Sequence, residues 1–239
     1  DASDIEIASN DPVNPLVITE QIGMGDVEHW FSQSWQQEEI PVLDVLWVID
    51  NSGSMSGGNF QNAMTTAIAI AKACDMIENM DCVISLRAGS SFGDTRGYGK
   101  AVMLVAYDSR KHGMTQIKTC FPMLCVSGST PEGLCFDAIM KDILDASRGK
   151  DAYFVNMSDG CPYFEGYYGE GAYNHTRAQV KKMVREGIKV ISYFITQGRT
   201  YGSDKENFQK MYGKEAQFID TSKIAEVAKT MNSKFLEVA

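Results

Sequence analysis

The chain has 239 residues, 44% of them hydrophobic, with a net charge of −9 and a pI near 4.9. That length suits one large α/β domain with a tail, or two small domains, and the apolar share is enough for a substantial core. The acidity, without any long Lys/Arg block, argues against nucleic acid as a partner, and no apolar run approaches the roughly 20 residues that cross a bilayer.

No basic-then-apolar leader opens these residues, and Asp1 rather than Met stands first, as in a processed or excised piece. Residues 1–40 are acidic, and Pro12 and Pro15 break any early helix. "VEHWFSQSW" then crowds Trp30, Phe31 and Trp35 together. This stretch reads as an extension whose aromatic segment covers an apolar patch of the main domain or docks a partner. The domain proper is expected over residues 41–239.

From Val42, "VLDVLWVID" is a nearly continuous apolar run, the pattern of a strand buried on both faces of a parallel sheet. A helix capped near Asn59 follows, with Ala63, Ala67, Ile70, Cys74 and Ile77 on one face. "CVISLRAG" and "AVMLVAYDS" read as strands, and the turn-rich "SSFGDTRGYGK" between them suits an antiparallel hairpin at the sheet edge. A helix is predicted from about Pro131 to Ser147, then the strand "DAYFVNMSD", then the helix "NHTRAQVKKMVREG" ending at Gly187. "IKVISYFIT" is a strand, "DKENFQKMYG" a short helix, and "AQFIDT" a short strand. A last helix puts Ile224, Val227, Ala228, Met231 and Phe235 on one stripe. This alternation predicts a doubly wound, Rossmann-like α/β fold: a mostly parallel sheet with one antiparallel edge strand and helices on both faces.

The six cysteines form no CxxC pair and there are three histidines, a spacing that does not make a zinc site. They read as buried thiols in a reducing compartment.

The chemistry concentrates in "LWVIDNSGSMSGG". Ligands of doubly wound sheets bind beyond the carboxyl ends of the strands, where Asp50 and Asp159 each end a predicted strand. Thr130 precedes Pro131 and reads as a helix N-cap on the same edge with an exposed hydroxyl. A phosphate cradle would need a Lys that the loop lacks. An Asp nucleophile would need a second Asp as proton donor where Ser52 stands. A Ser nucleophile would need GxSxG, and "GSMSG" has its serines elsewhere. A metalloprotease would need HExxH, and His29, His112 and His175 lie far apart. A metal ion fits best. Asp50, Ser52, Ser54, Thr130 and Asp159 are all hard oxygen donors, suited to Mg²⁺ or Mn²⁺, with room left for water or for a carboxylate from another protein.

At these residues the chain resembles a known family. "DNSGS", "GSTPEG" and "SDG" are similar to the von Willebrand factor A domain and its metal-ion-dependent adhesion site, over about residues 42–238. The resemblance implies metal ligation by the hydroxyls of Ser52, Ser54 and Thr130, and by Asp50 and Asp159 directly or through water. "LWVIDNSGSM", "VNMSDGCP", "YNHTR" and "IKVISYFIT" further resemble the C-terminal domain of the cobaltochelatase subunit CobT and its phage-borne relatives. Those proteins carry a long acidic region before the domain, where about forty residues stand here. This second resemblance implies a cytoplasmic adaptor without catalytic residues, working beside an AAA+ ATPase of the MoxR or CobS type. An adhesion or structural module without an ATPase, for example a phage structural or assembly protein, is the alternative. The insert from Cys161 to His175 should rim the metal site, with Tyr163, Phe164, Tyr167, Tyr168 and Tyr173 as a partner-contact loop.

Overall fold

The computed structural model of the chain describes residues 43–77, 79–90, 100–195 and 202–219. The N-terminal extension, residues 91–99 with most of the predicted turn, and the predicted last helix lie outside them. No helix among the described residues is long and apolar enough to cross a membrane.

Six strands form one sheet: β1 (Leu43–Asp50), β2 (Met80–Ser90), β3 (Lys100–Asp108), β4 (Asp151–Ser158), β7 (Lys189–Ile195) and β8 (Ala216–Ile219). Their order is β3-β2-β1-β4-β7-β8. Only β3 runs antiparallel, paired with β2 at the edge. A small separate hairpin pairs β5 (Tyr163–Phe164) with β6 (Tyr167–Tyr168).

The doubly buried strand reading of β1 holds. Successive side chains point to opposite faces. Val45, Trp47 and Ile49 enter one core beside helix α1 (Gly58–Asp75), while Leu46 and Val48 enter the other with Phe136, Phe154 and Val190. Helix α1 departs from the amphipathic expectation, since every residue from Ala63 to Ala71 is buried, Thr65 and Thr66 included. A helix apolar nearly all round belongs inside a domain. It begins at Gly58, with Gly57 rather than Asn59 at the cap position.

Helices α3 (Glu132–Ala146) and α4 (Gly169–Arg185) cover the second face, and α5 (Gly202–Tyr212) packs beside α4. Helix α4 starts earlier than "NHTR", because "GEGAY" is drawn into the helix despite its glycines. The short α2 (Thr115–Cys120) precedes α3 in the chain and was not evident from apolar spacing. The chain leaves β1 toward β2 on one side and returns to β4 on the other. The switch point of the sheet therefore lies between the carboxyl ends of β1 and β4, where such folds bind ligands.

Candidate metal centre

Asp50 is the last residue of β1 and Asp159 follows the last residue of β4, on adjacent parallel strands. Asp50 is fully buried and held from several sides. Its Oδ1 accepts the Ser52 backbone N–H at 2.8 Å, and its Oδ2 accepts the Ser158 hydroxyl at 2.8 Å. The Ser52 and Ser54 hydroxyls lie 3.0 Å apart, and the Ser54 hydroxyl donates to Asp159 Oδ1 at 2.9 Å. The side-chain oxygens of Ser52, Ser54 and Asp159 thus form one connected run, and Asp50 is tied to it through the Ser52 backbone N–H.

The segment that leads into Thr130 is tied to this loop through the backbone. Asn51 accepts from Ser127 N–H at 2.7 Å, Gly53 donates to Gly128 at 3.1 Å, and Gly89 and Ser129 exchange two bonds of 2.7 and 3.1 Å. Gly128 makes the approach possible. Its φ is +79°, and a Cβ there would fall 1.8 Å from the Gly89 carbonyl oxygen. The N-cap expectation for Thr130 is corrected: α3 starts at Glu132, Pro131 takes the cap position, and no side-chain cap bond forms. Nor is the residue open to solvent, being 6% exposed. Its backbone instead pairs in both directions with Tyr163, at 3.0 Å each way.

Beneath the oxygens lies a buried polar network that the sequence reading missed. Arg87 of β2 is fully buried, with Nη1 3.3 Å from Asp50 Oδ2 and Nη2 2.6 Å from Glu132 Oε1. Asn156 of β4 lies within hydrogen-bond range of Glu132, Ser192 and Tyr212, at 3.1, 2.8 and 3.0 Å. Burial alone would lower the Arg87 pKa, but Asp50 and Glu132 beside it raise it overall. Burial raises Glu132, with Arg87 opposing. The available signal was an Arg and an Asn inside strands otherwise fit for a dry interior, where a polar group needs a partner.

The donor set fits a hard divalent cation. Burial, and then the charge of Asp50, push the Asp159 carboxyl up to about 6, the behaviour of a carboxylate short of positive charge. With all groups ionised, Asp50, Asp159 and Glu132 face one Arg87, a surplus of two negative charges that a divalent ion would neutralise. Adjacent ligands of an octahedron with ~2.1 Å bonds lie about 3 Å apart, and the Ser52–Ser54 and Ser54–Asp159 oxygens have that spacing. No group of three or more His, Cys, Asp or Glu is placed to hold a metal among the described residues. This site would depend on hydroxyls.

The five rim aromatics divide. Tyr163 and Tyr168 are 71% and 62% exposed, with rings 6.2 Å apart. Phe164 is buried against Gly89, and Tyr173 is half-buried. Tyr167 is also half-buried, its hydroxyl within reach of Ala172 O, His175 Nδ1 and Thr176 Oγ1 at 3.0–3.2 Å. Tyr167 thus ties the hairpin to α4. Tyr167→Phe should lower stability by about 1 kcal/mol in denaturant melts without altering the response to metal.

Solved structures share this architecture. The pilus adhesin SpaC from Lactobacillus rhamnosus GG, in an open conformation, superposes with a TM-score of 0.61 at 11% identity, over 84% of this chain and 31% of the adhesin. Proximal thread matrix protein 1 from the mussel byssus, with a zinc-occupied MIDAS motif, gives 0.55 at 12% identity, over 82% of this chain and 46% of that protein. The fold is von Willebrand factor A-like. At these identities the likeness establishes the A-like fold alone, and this chain spans less than half of either protein. No family model matches the chain, and neither does any curated protein.

Proposed function

We propose that this chain is a divalent-metal-dependent protein-interaction module. Asp50, Ser52, Ser54, Thr130 and Asp159 would hold Mg²⁺ or Mn²⁺, and the ion would offer a remaining position to a carboxylate of a partner. The observation that carries the reading is the oxygen run Ser52–Ser54–Asp159, with Asp50 bonded to the Ser52 backbone N–H, at the sheet's switch point. The bound ion would supply electrostatic attraction for the incoming acid. Arg87 and Ser158 keep Asp50 in place, and Tyr163 and Tyr168 offer aromatic anchors beside Thr130.

The partner we favour is an AAA+ ATPase of the MoxR or CobS type, with the chain as a non-catalytic adaptor in a cobaltochelatase-like complex in the cytoplasm. Support comes from the resemblance of "LWVIDNSGSM", "VNMSDGCP" and "YNHTR" to CobT-type domains, and from six cysteines that are all free. The adhesion or structural alternative draws support from the A-like fold of a pilus adhesin and a byssus protein. A pull-down with a MoxR-class ATPase from the same genome tests the choice. Capture in Mg²⁺ that is lost in EDTA and in Asp50→Ala is expected, and capture indifferent to both would overturn the adaptor reading. Changing Tyr163 and Tyr168 together to Ser should weaken that capture about tenfold or more while leaving metal affinity unchanged. Equal capture by the variant would remove these two residues from the contact.

A further inference from the structure

A second surface lies on the flank of the domain. Between the later turns of α4 and the turn that follows α5, a cavity of about 540 Å³ is lined by Arg177, Lys181, Arg185 and Lys214 around Val184, with Met211 buried beneath. The three α4 cations are exposed, as is Lys214, and Val184 is 38% exposed. Glu215 is the single acidic residue of the lining. A basic rim over an apolar floor selects a segment that is both acidic and aromatic.

The chain contains one. Nine of its 31 Asp and Glu, and none of its 22 Lys and Arg, fall in residues 1–40, so this stretch alone carries the net charge of −9. Within it Trp30, Phe31 and Trp35 are bracketed by Asp26, Glu28, Glu38 and Glu39. The reach is sufficient. Leu43 pairs with Asp151, and Tyr153 with Lys189, so β1 begins two strands from the start of β7, on the edge where α4 ends at Arg185. Two strand spacings are about 10 Å. Trp35 stands eight residues before Leu43, enough for roughly 26 Å of extended chain.

We propose that this groove is the docking site of the chain's own acidic N-terminal segment, with the Trp30–Trp35 aromatics on the apolar floor and the flanking carboxylates against Arg177, Lys181, Arg185 and Lys214. The site lies away from the Tyr163–Tyr168 rim, on the later half of α4, so the segment can occupy it without covering the metal centre.

Acrylamide quenching of tryptophan fluorescence in the full chain tests this. Trp47 is fully buried, and the other two tryptophans are Trp30 and Trp35. In R177E/K181E/R185E, compared with the parent well below both melting temperatures, quenching at low salt is expected to rise about twofold or more. About 0.5 M NaCl should raise the parent's quenching to the same level. K118E, a charge reversal at an exposed lysine of α2, should leave quenching unchanged. Equal quenching in parent and triple variant, or an equal rise in K118E, would overturn the proposal. So would quenching that increases on roughly a hundred-fold dilution, because the occupant would then be another copy's segment, and so would capture of another protein at the groove while Trp30 and Trp35 stay fully quenchable.

Discussion

Mg²⁺ or Mn²⁺ should raise the melting temperature of the native chain, and Asp159→Asn should abolish that rise. At a metal concentration about 100 times Kd, binding to the folded state adds ~2.7 kcal/mol, or roughly 5–10 °C for a domain of this size. The same variant should behave oppositely without metal. The Asp159 carboxyl rises from 3.8 to about 6 on folding, through burial and the nearby Asp50 charge. An acid whose folded pKa is raised holds its proton more tightly in the folded state, so its contribution to stability is present below pH ~4 and lost as pH passes ~6. The ionised form then disfavours the fold by roughly 2–3 kcal/mol. Metal-free at pH 7, Asp159→Asn should melt above the parent, and the gap should close as pH falls toward 4. Asn can still accept the Ser54 hydroxyl, so loss of the metal response would not reflect a collapsed loop. A metal-induced rise of the parent's size in Asp159→Asn would remove Asp159 from the site.

Arg87→Met should destabilise the metal-free protein by about 3–5 kcal/mol, or roughly 6–20 °C in melting temperature. The guanidinium is wholly buried between Asp50 and Glu132, at 3.3 and 2.6 Å. A methionine of similar length leaves two buried carboxylates without their cation. Adding Glu132→Gln should return at least ~1 kcal/mol, because it removes one of the two uncompensated charges. Metal should rescue Arg87→Met more than it helps the parent, since the Arg87 cation beside Asp50 would compete with a bound ion. A single variant within about 1 kcal/mol of the parent, or one whose metal response is weaker, would show that Arg87 neither holds the fold nor faces the site.

Much of the architecture was legible because it follows from local rules. The run "VLDVLWVID" is apolar on both faces from Val45 to Ile49 and short, the pattern of a strand buried on both sides of a parallel sheet. The edge hairpin of β2 and β3 followed from two strand patterns joined by a turn-rich stretch. Where local reading erred, tertiary packing had overruled it. Helix α1 looked one-sided by its strongest apolar positions but is buried through Thr65 and Thr66 as well. The Thr130 hydroxyl was assigned to a helix cap by the Pro that follows, yet the segment is held by strand-like pairing with Tyr163.

The sequence by itself put the candidate oxygens on one edge of the sheet. Asp50 closes one apolar run, Ser52 and Ser54 follow at alternate positions, and Asp159 closes another, so both carboxylates fall at the carboxyl ends of predicted strands. That β4 lies directly beside β1, so that these ends meet, came from the strand order, which depends on pairings between residues far apart in the chain. Only the tertiary structure decided what lies under and around those oxygens. Arg87, Glu132 and Asn156 come from three elements, 45 and 24 residues apart along the chain, and meet because the interior must pair every buried charge. The division of the insert into exposed Tyr163 and Tyr168 and inward Phe164 and Tyr167 was likewise beyond the sequence. Aromatic residues serve interfaces and cores alike, and only the partners each ring finds in three dimensions separate the two.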